Sequence, residues 1–336
     1  MQQANHVLVT GGAGYIGSHV VWALLDHKIP VVVIDDLSTG FRWLLPDDVP
    51  FYQAGIQDES TIDTICSSFN INCVMNFAGS IVVPESVINP LKYYSNNISN
   101  SLSLITSCIR NNIPNFIFSS TAAVYGIPDK IPLDEQSPTR PVSPYGHSKL
   151  VMEQILQDCH AAYGLGTGVL RYFNVAGADP KGRCGQATRE ATHLIKIATE
   201  AALGKRPEVL VFGQDYPTQD GTGVRDYIHV SDLAHAHLLL YQRLKDKPGQ
   251  ALTFNCGYNR GFSVLEVLDA IDKIADKPLK RVMSERRPGD ASILQADNQT
   301  ILRELSWQPT YDDLDIIVQS ALDWERALDE KRSKFR

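Results

Sequence analysis

Between His6 and Ile34 the chain reads strand, glycine-rich turn, helix, strand, and this order restricts the fold more than any other feature. His6–Thr10 is a short apolar run, and Pro30–Ile34 (PVVVI) is a second one with no polar alternation. Between them "TGGAGYIG" (Thr10–Gly17) leads into a helical pattern from Tyr15 to about His27. Strands that are apolar throughout need cover on both faces, which implies a parallel sheet with helices on either side. The pattern continues with strands expected near Val49–Gln53, Cys73–Phe77, Phe116–Ser119 and Thr167–Leu170. Helices are expected near Ser60–Phe69, Leu91–Arg110 and Pro144–Tyr163. The expected fold class is therefore α/β, a Rossmann-like doubly wound parallel sheet.

Gly11, Gly14 and Gly17 are spaced three apart, after a strand and at the start of a helix. In that context glycines permit a tight turn and close approach of a pyrophosphate to the free N–H groups of the helix N-terminus. Asp35 lies 18 residues past Gly17, at the end of the second strand. An acid there binds an adenosine ribose 2′-OH and repels a 2′-phosphate, which favours NAD over NADP. Asp36 is a weaker candidate for the same role.

A second feature is "SPYGHSK" (Ser143–Lys149), where Ser-Pro opens a helix and sets Tyr145 and Lys149 one turn apart on one face. "FSSTAAVYG" places Ser119, Ser120 and Thr121 just past an apolar strand end, where ligands of open α/β sheets sit. A phenol is an effective base near pH 7 only if its pKa falls by roughly 3, about 4 kcal/mol. Lys149 and a positive nicotinamide are the expected sources, with Thr121 hydrogen-bonding the same substrate oxygen.

Composition excludes several classes. Of 336 residues 43% are hydrophobic and 21% charged, with net charge −7, so neither nucleic acid nor a membrane is an expected partner. No run approaches the roughly 20 apolar residues of a membrane helix, and no signal peptide is recognisable. The six cysteines are scattered without a Cys-x-x-Cys pair, as buried thiols of a cytoplasmic protein would be. His229, His235 and His237 are expected to be structural rather than metal ligands.

After Asn174 the chain becomes polar and glycine-rich, a plausible boundary. The expected division is residues 1–175 for the dinucleotide and 176–336 for a smaller mixed α/β substrate region, with 213–255 packing back on the first part. In the second half helices are expected near Thr192–Leu203, Val264–Ala275 and Asp312–Leu328, and strands near Val209–Phe212 and Leu279–Met283. "PTQDGTGVRDYIH" reads as irregular.

The motifs "TGGAGYIGSH", "FAGSIVVPES", "YYSNN", "FSSTAAVYG", "SPYGHSKLVMEQIL", "LRYFNVAGADP", "VFGQDYPTQDGTGVRDYIHVSDLAHAH" and "ERRPGD" together resemble the extended short-chain dehydrogenase/reductases. Within these, the resemblance is to the UDP-glucose 4-epimerase (UDP-galactose 4-epimerase) family, over nearly the whole chain. It implies tightly held NAD, a UDP-hexose substrate, a homodimer, and epimerisation through transient oxidation at sugar C4.

Carried over by position, Gly11, Gly14, Tyr15, Ile16 and Gly17 match the pyrophosphate loop and Asp35 the ribose-binding acid. Phe77, Ala78 and Asn97 match further cofactor contacts, and Phe173 the residue beside the nicotinamide. Thr121, Tyr145 and Lys149 match the catalytic set. Asn174 and Arg225 match diphosphate contacts, and His193, Leu194, Val211 and Phe212 the segments around uridine. Arg287 and Asp290 match a second phosphate clamp and a ribose acceptor, and Leu294 lines the sugar pocket. Two departures stand out: Ile81 replaces a common Lys, and Gly55 replaces an Asp that meets adenine.

Other readings share part of the pattern. A 4,6-dehydratase would carry Asp-Glu after Thr121, where this chain has Ala122–Ala123. A uronate epimerase or decarboxylase would want extra cations, and a UDP-N-acetylglucosamine 4-epimerase a roomier pocket. A non-catalytic dinucleotide sensor would not need Thr121, Tyr145 and Lys149 together.

Overall fold

The computed structural model describes residues 4–189, 191–287 and 289–334. In chain order the first half runs β1 (Asn5–Thr10), α1 (Tyr15–Asp26), β2 (Val31–Ile34), β3 (Phe51–Tyr52), α2 (Glu59–Ser68) and β4 (Asn70–Asn76). It continues with α3 (Val83–Ile88), α4 (Pro90–Tyr94), α5 (Asn100–Arg110), β5 (Asn115–Thr121), α6 (Pro144–Tyr163) and β6 (Gly166–Tyr172). The second half adds β7 (Asn174–Ala176), α7 (Leu194–Ala202), β8 (Val209–Phe212), β9 (Val224–His229), α8 (Val230–Asp246) and β10 (Ala251–Cys256). It closes with β11 (Gly261–Ser263), α9 (Val264–Ile274), β12 (Arg281–Ser284), β13 (Ile293–Leu294), α10 (Gln299–Leu305) and α11 (Leu314–Lys334).

Seven parallel strands form the main sheet in the order β10-β6-β5-β4-β1-β2-β3. The order reverses between β1 and β4, which makes a crevice at their carboxyl ends. The unbroken apolar character of β1 has a simple cause. Val7 and Val9 enter one core with α1 and α8, and Leu8 enters the opposite core with α2, α5 and α6. Both faces are thus buried, as the expected doubly wound fold requires.

The second half departs from the expectation in two places. "PTQDGTGVRDYIH" is not irregular throughout: its end is strand β9, the hub that pairs with β7, β11 and β13. Residues 230–256 also give more order than the sequence reading: α8 packs along α1, and β10 pairs with β6 as the seventh strand. The polar Asn255 in β10 is paid for by specific partners. Its side chain donates to the Leu133 carbonyl at 2.8 Å and accepts from the Tyr125 hydroxyl at 2.7 Å, and its backbone N–H donates to Glu135 Oε1 at 2.8 Å. The smaller part gathers α7, α9 and α11 around β8 and β9 in a core of its own.

Candidate active site

α6 begins as its sequence dictates: Ser143 Oγ accepts the Gly146 N–H at 3.2 Å and Pro144 occupies the first helical position. This start buries Tyr145 (8% exposed) and Lys149 (3% exposed) one turn apart. Thr121 ends β5 and faces the same space, close enough to the Tyr145 phenol to act on its pKa. Lys149 Nζ donates to the Ser119 carbonyl at 2.9 Å and lies 4.8 Å from the centre of the Phe118 ring. The Tyr93 ring meets Tyr145 edge-on at 6.5 Å.

Burial dominates the electrostatics. It raises the Tyr145 phenol above its ordinary pKa of 10.0, with Thr121 pulling the other way. It lowers the Lys149 ammonium to about 8, opposed by Glu153. The Lys149 charge is turned toward the Ser119 carbonyl and the Phe118 face. Behind the site, Glu153 and Arg171 form a buried bidentate pair, with Nη2–Oε2 at 2.6 Å.

The glycine loop follows β1 directly. A Cβ on Gly11 (φ +65°) would lie 2.6 Å from the Ala78 nitrogen, so the two loops at the crevice touch backbone to backbone. Phe77 and Ala78 thereby border the loop. Asp35 accepts the Ala13 N–H at 2.9 Å and the Leu37 N–H at 2.8 Å, one on each carboxylate oxygen, and burial raises its pKa. Each oxygen keeps a further acceptor position for a ribose hydroxyl. Asp36 is exposed and accepts only the Ser38 N–H among the described bonds. Tyr15 reaches across to donate to the Gly177 carbonyl at 2.7 Å, and Ile16 packs against the α1 core.

α1 starts at Gly14 with no side-chain cap and no acidic residue in its first turn. Among the described residues, the only neighbour within 4 Å of a Cβ at Gly14 is the Gly11 carbonyl, at 3.1 Å. Uncapped N–H groups beside an open, unacidic surface suit a pyrophosphate, so the residues fit NAD. Asn97 sits in a π-helical turn, Ser95–Ser99, that the sequence reading merged into one long helix. There Asn97 Oδ1 accepts the Ser80 N–H at 2.7 Å and Nδ2 donates to Ser148 Oγ at 3.0 Å, tying the loop after β4 to α6. Such turns recur at functional sites; Asn97 is marked in the sequence only through the resemblance carried by "YYSNN".

The remaining candidates gather across the crevice in two groups. Asn174, His193 and Leu194 line one cavity together with Lys196, Tyr227 and Glu325. His193 opens α7, takes the Gln186 amide at 2.8 Å, and has its pKa lowered by burial. In the other group Arg287 stands 3.9 Å over the Phe212 ring, and Arg225 forms an ion pair with Asp290. Val211 links the groups by packing in the same core as Leu194. Leu294 and Phe173 share a small apolar cluster with Ala122, Val124 and Tyr125, next to Thr121. Ile81 is 52% exposed, and Gly55 is backed by the Gln57 side chain. His229 caps α8 and stacks on Tyr311 at 4.6 Å, and His237 is wholly buried beside Phe77. No group of three or more His, Cys, Asp or Glu among the described residues is placed to hold a metal.

Residues 7–257 match the model of the NAD dependent epimerase/dehydratase family. The chain belongs to that family. Among its epimerases, it is 53% identical over 324 residues to the UDP-glucose 4-epimerase of Azospirillum brasilense, covering 96% of this chain and 93% of that one. The UDP-glucose 4-epimerase of Brucella ovis, solved with NAD, superposes with a TM-score of 0.92 at 40% identity, covering 95% of this chain and 98% of that one. The enzyme of Bifidobacterium longum, solved with NAD+ and UDP, gives a TM-score of 0.92 at 37% identity over 97% and 99%. Tyr216, beside the Arg225–Asp290 pair, has no signal in the sequence, because nothing in "QDYPTQD" marks a buried phenol.

Proposed function

We propose that this chain is an isomerase that interconverts UDP-galactose and UDP-glucose, with Tyr145, Thr121 and Lys149 as its acid–base set. The observation that carries the reading is their joint burial at the carboxyl end of β5, on the same edge of the parallel sheet as the uncapped start of α1. The sugar C4–H is not adjacent to a carbonyl, so direct deprotonation is not available. When bound, NAD supplies the acceptor and donor of hydride at C4 and a positive charge beside the phenol.

Tyr145 takes the C4 hydroxyl proton as the 4-keto sugar forms and returns it on reduction of the opposite face. Thr121 holds the same oxygen by a hydrogen bond. Lys149, fixed by the Ser119 carbonyl, keeps a cation under the site and favours the phenolate. Arg225 and Arg287 suit a diphosphate, since guanidinium recognises such oxygens bidentately. Asn174, His193, Leu194, Val211 and Phe212 enclose uridine, and Asp290 accepts from its ribose. Gly11, Gly14, Tyr15, Ile16, Gly17, Asp35, Phe77, Ala78, Asn97 and Phe173 hold the cofactor, with Asp36 a minor contributor at most. Residues 1–175 with 230–256 act as the cofactor-binding body and the rest as the substrate region, a reading supported by the pairing of β10 with β6.

A homodimer is the proposed assembly. Val87 and Ile88 (86% exposed) of α3, Leu91 (77% exposed) of α4 and Leu102 of α5 are exposed large apolar side chains, of the kind that a second copy would cover. The proposed location is the cytoplasm. In support, no described helix is long and apolar enough to cross a membrane, and all six cysteines are free.

Incubation of the purified protein with UDP-galactose and separation of the products tests the activity. Equilibration with UDP-glucose without net cofactor consumption is expected. Stoichiometric accumulation of NADH with no epimer would overturn it.

A further inference from the structure

Tyr216 lies in the turn after β8 and is only 5% exposed. Its backbone N–H donates to the Gly221 carbonyl at 3.0 Å, and its own carbonyl accepts the Thr218 N–H at 2.8 Å, so the residue is fixed in place. The Arg286 guanidinium covers its ring at 4.1 Å, and Gly213 (φ +83°) leaves room for the ring edge that no side chain there could leave. Yet the hydroxyl, fully removed from solvent, has no hydrogen-bond partner among the described residues. A buried polar group left unsatisfied costs stability, and such groups in a native fold call for an explanation.

The surroundings supply one. Burial raises the phenol pKa, and the charges that act on it next are Asp290, Arg225, Arg286 and Asp215. Arg225 and Asp290 are paired to each other, and Arg286 is paired to Asp215. The hydroxyl is therefore a committed donor in a field of two arginines, beside an ion pair that an incoming anion can open. Neutral donors next to two guanidinium groups complement phosphate oxygens.

We propose that Tyr216 is an additional substrate-binding residue, whose hydroxyl donates to a phosphate oxygen of a nucleoside diphosphate once Arg225 exchanges Asp290 for that anion. The inference rests on the reading of Arg225 and Asp290 as UDP contacts. It makes the Arg225–Asp290 pair the closed state of the site and the Tyr216 hydroxyl a contact formed only in the filled state.

The test compares wild type and Tyr216→Phe in calorimetric titrations with UDP and with uridine, alongside thermal unfolding of the ligand-free holoenzyme. The expected result is about tenfold weaker UDP binding, the order of one hydrogen bond to a charged group, with uridine affinity within twofold. Thermal stability should be unchanged or higher, because an unpaired hydroxyl has been removed. UDP affinity within twofold of wild type, or equal losses for UDP and uridine, would overturn the proposal. A lower melting temperature with unchanged UDP affinity would assign the hydroxyl a purely structural role and overturn it too. If wild type itself fails to bind UDP, the reading of the whole site fails, which is a separate outcome.

Discussion

Lys149 Nζ and the Ser119 carbonyl, 2.9 Å apart, tie the acid–base helix to the strand that carries Thr121. The bond fixes the spacing of three groups on two elements, and it holds the ammonium inside the protein, where burial lowers its pKa to about 8. The placement that the proposed role needs and stability are therefore opposed at this residue.

Replacing Lys149 with Met should show that opposition. Between pH 8 and the ordinary lysine value of 10.5 the unfolded chain holds a proton at this position that the native state has released. Stability from this group consequently rises with pH across that window, and the buried ammonium costs stability below it. Lys149→Met should melt higher than wild type at pH 7, by an advantage that shrinks as pH rises from about 8 toward 10.5. Its turnover should fall, and the ascending limb of its pH–rate profile, set by ionisation of Tyr145, should move to higher pH because the cation that favours phenolate has gone. An unchanged profile would count against the role given to Lys149.

Tyr145→Phe keeps the ring, its edge-on contact with Tyr93 and the helix start, and removes only the hydroxyl. Turnover is expected to drop by roughly 10²–10⁴-fold, the range for a positioned acid–base group, while UDP binding stays nearly intact. Steady-state kinetics with a parallel UDP titration separates the two. A variant with wild-type kcat would refute the assignment.

Gly17 faces the turn that it closes. A Cβ there would sit 2.8 Å from the Gly12 α-carbon and closer still to the Gly11 carbonyl. Those are backbone atoms, so Gly17→Ala can be accommodated only by moving the loop off the helix N-terminus. The purified variant should carry much less NAD than wild type, measured by cofactor release on denaturation, with the fold otherwise retained by circular dichroism. Full cofactor content would show that the loop tolerates the shift.

The sheet and the gathering of Thr121, Tyr145 and Lys149 were legible for definite reasons. β1 and β2 are buried on both faces and show it as uninterrupted apolar runs, and Ser143-Pro144 states where α6 starts. β10 was hidden because Thr253 and Asn255 break its apolar run, and Asn255 is tolerated only through partners some 120 residues away. α8 carried a readable stripe at Leu233, His237, Leu240 and Leu244, but a histidine within it disguised a buried position. β9 was concealed by Arg225 and Asp226. Asp226 is wholly buried, accepts the Tyr258 N–H at 2.8 Å, and is pushed up to about 6 by burial. The orphaned Tyr216 hydroxyl is a three-dimensional fact with no local sequence signal.

Substrate breadth is expected to turn on Leu294. It pairs in register with Arg225 across β13 and β9, and its side chain packs in the cluster of Phe173 and Tyr125 beside Thr121. A ligand whose diphosphate lies at Arg225 and whose sugar reaches Tyr145 must pass this residue. An acetamido group pressed against a branched leucine costs about 1–3 kcal/mol through overpacking, roughly 5- to 150-fold in kcat/KM. UDP-galactose and UDP-glucose should therefore be preferred over UDP-N-acetylglucosamine without excluding it. Leu294→Ser removes the branched side chain and should raise relative kcat/KM for the N-acetylated sugar by about tenfold, with little change for the plain hexoses. The ratio of kcat/KM for the two sugars, measured in wild type and variant, decides the matter. Equal ratios in both proteins would place the size limit elsewhere in the pocket.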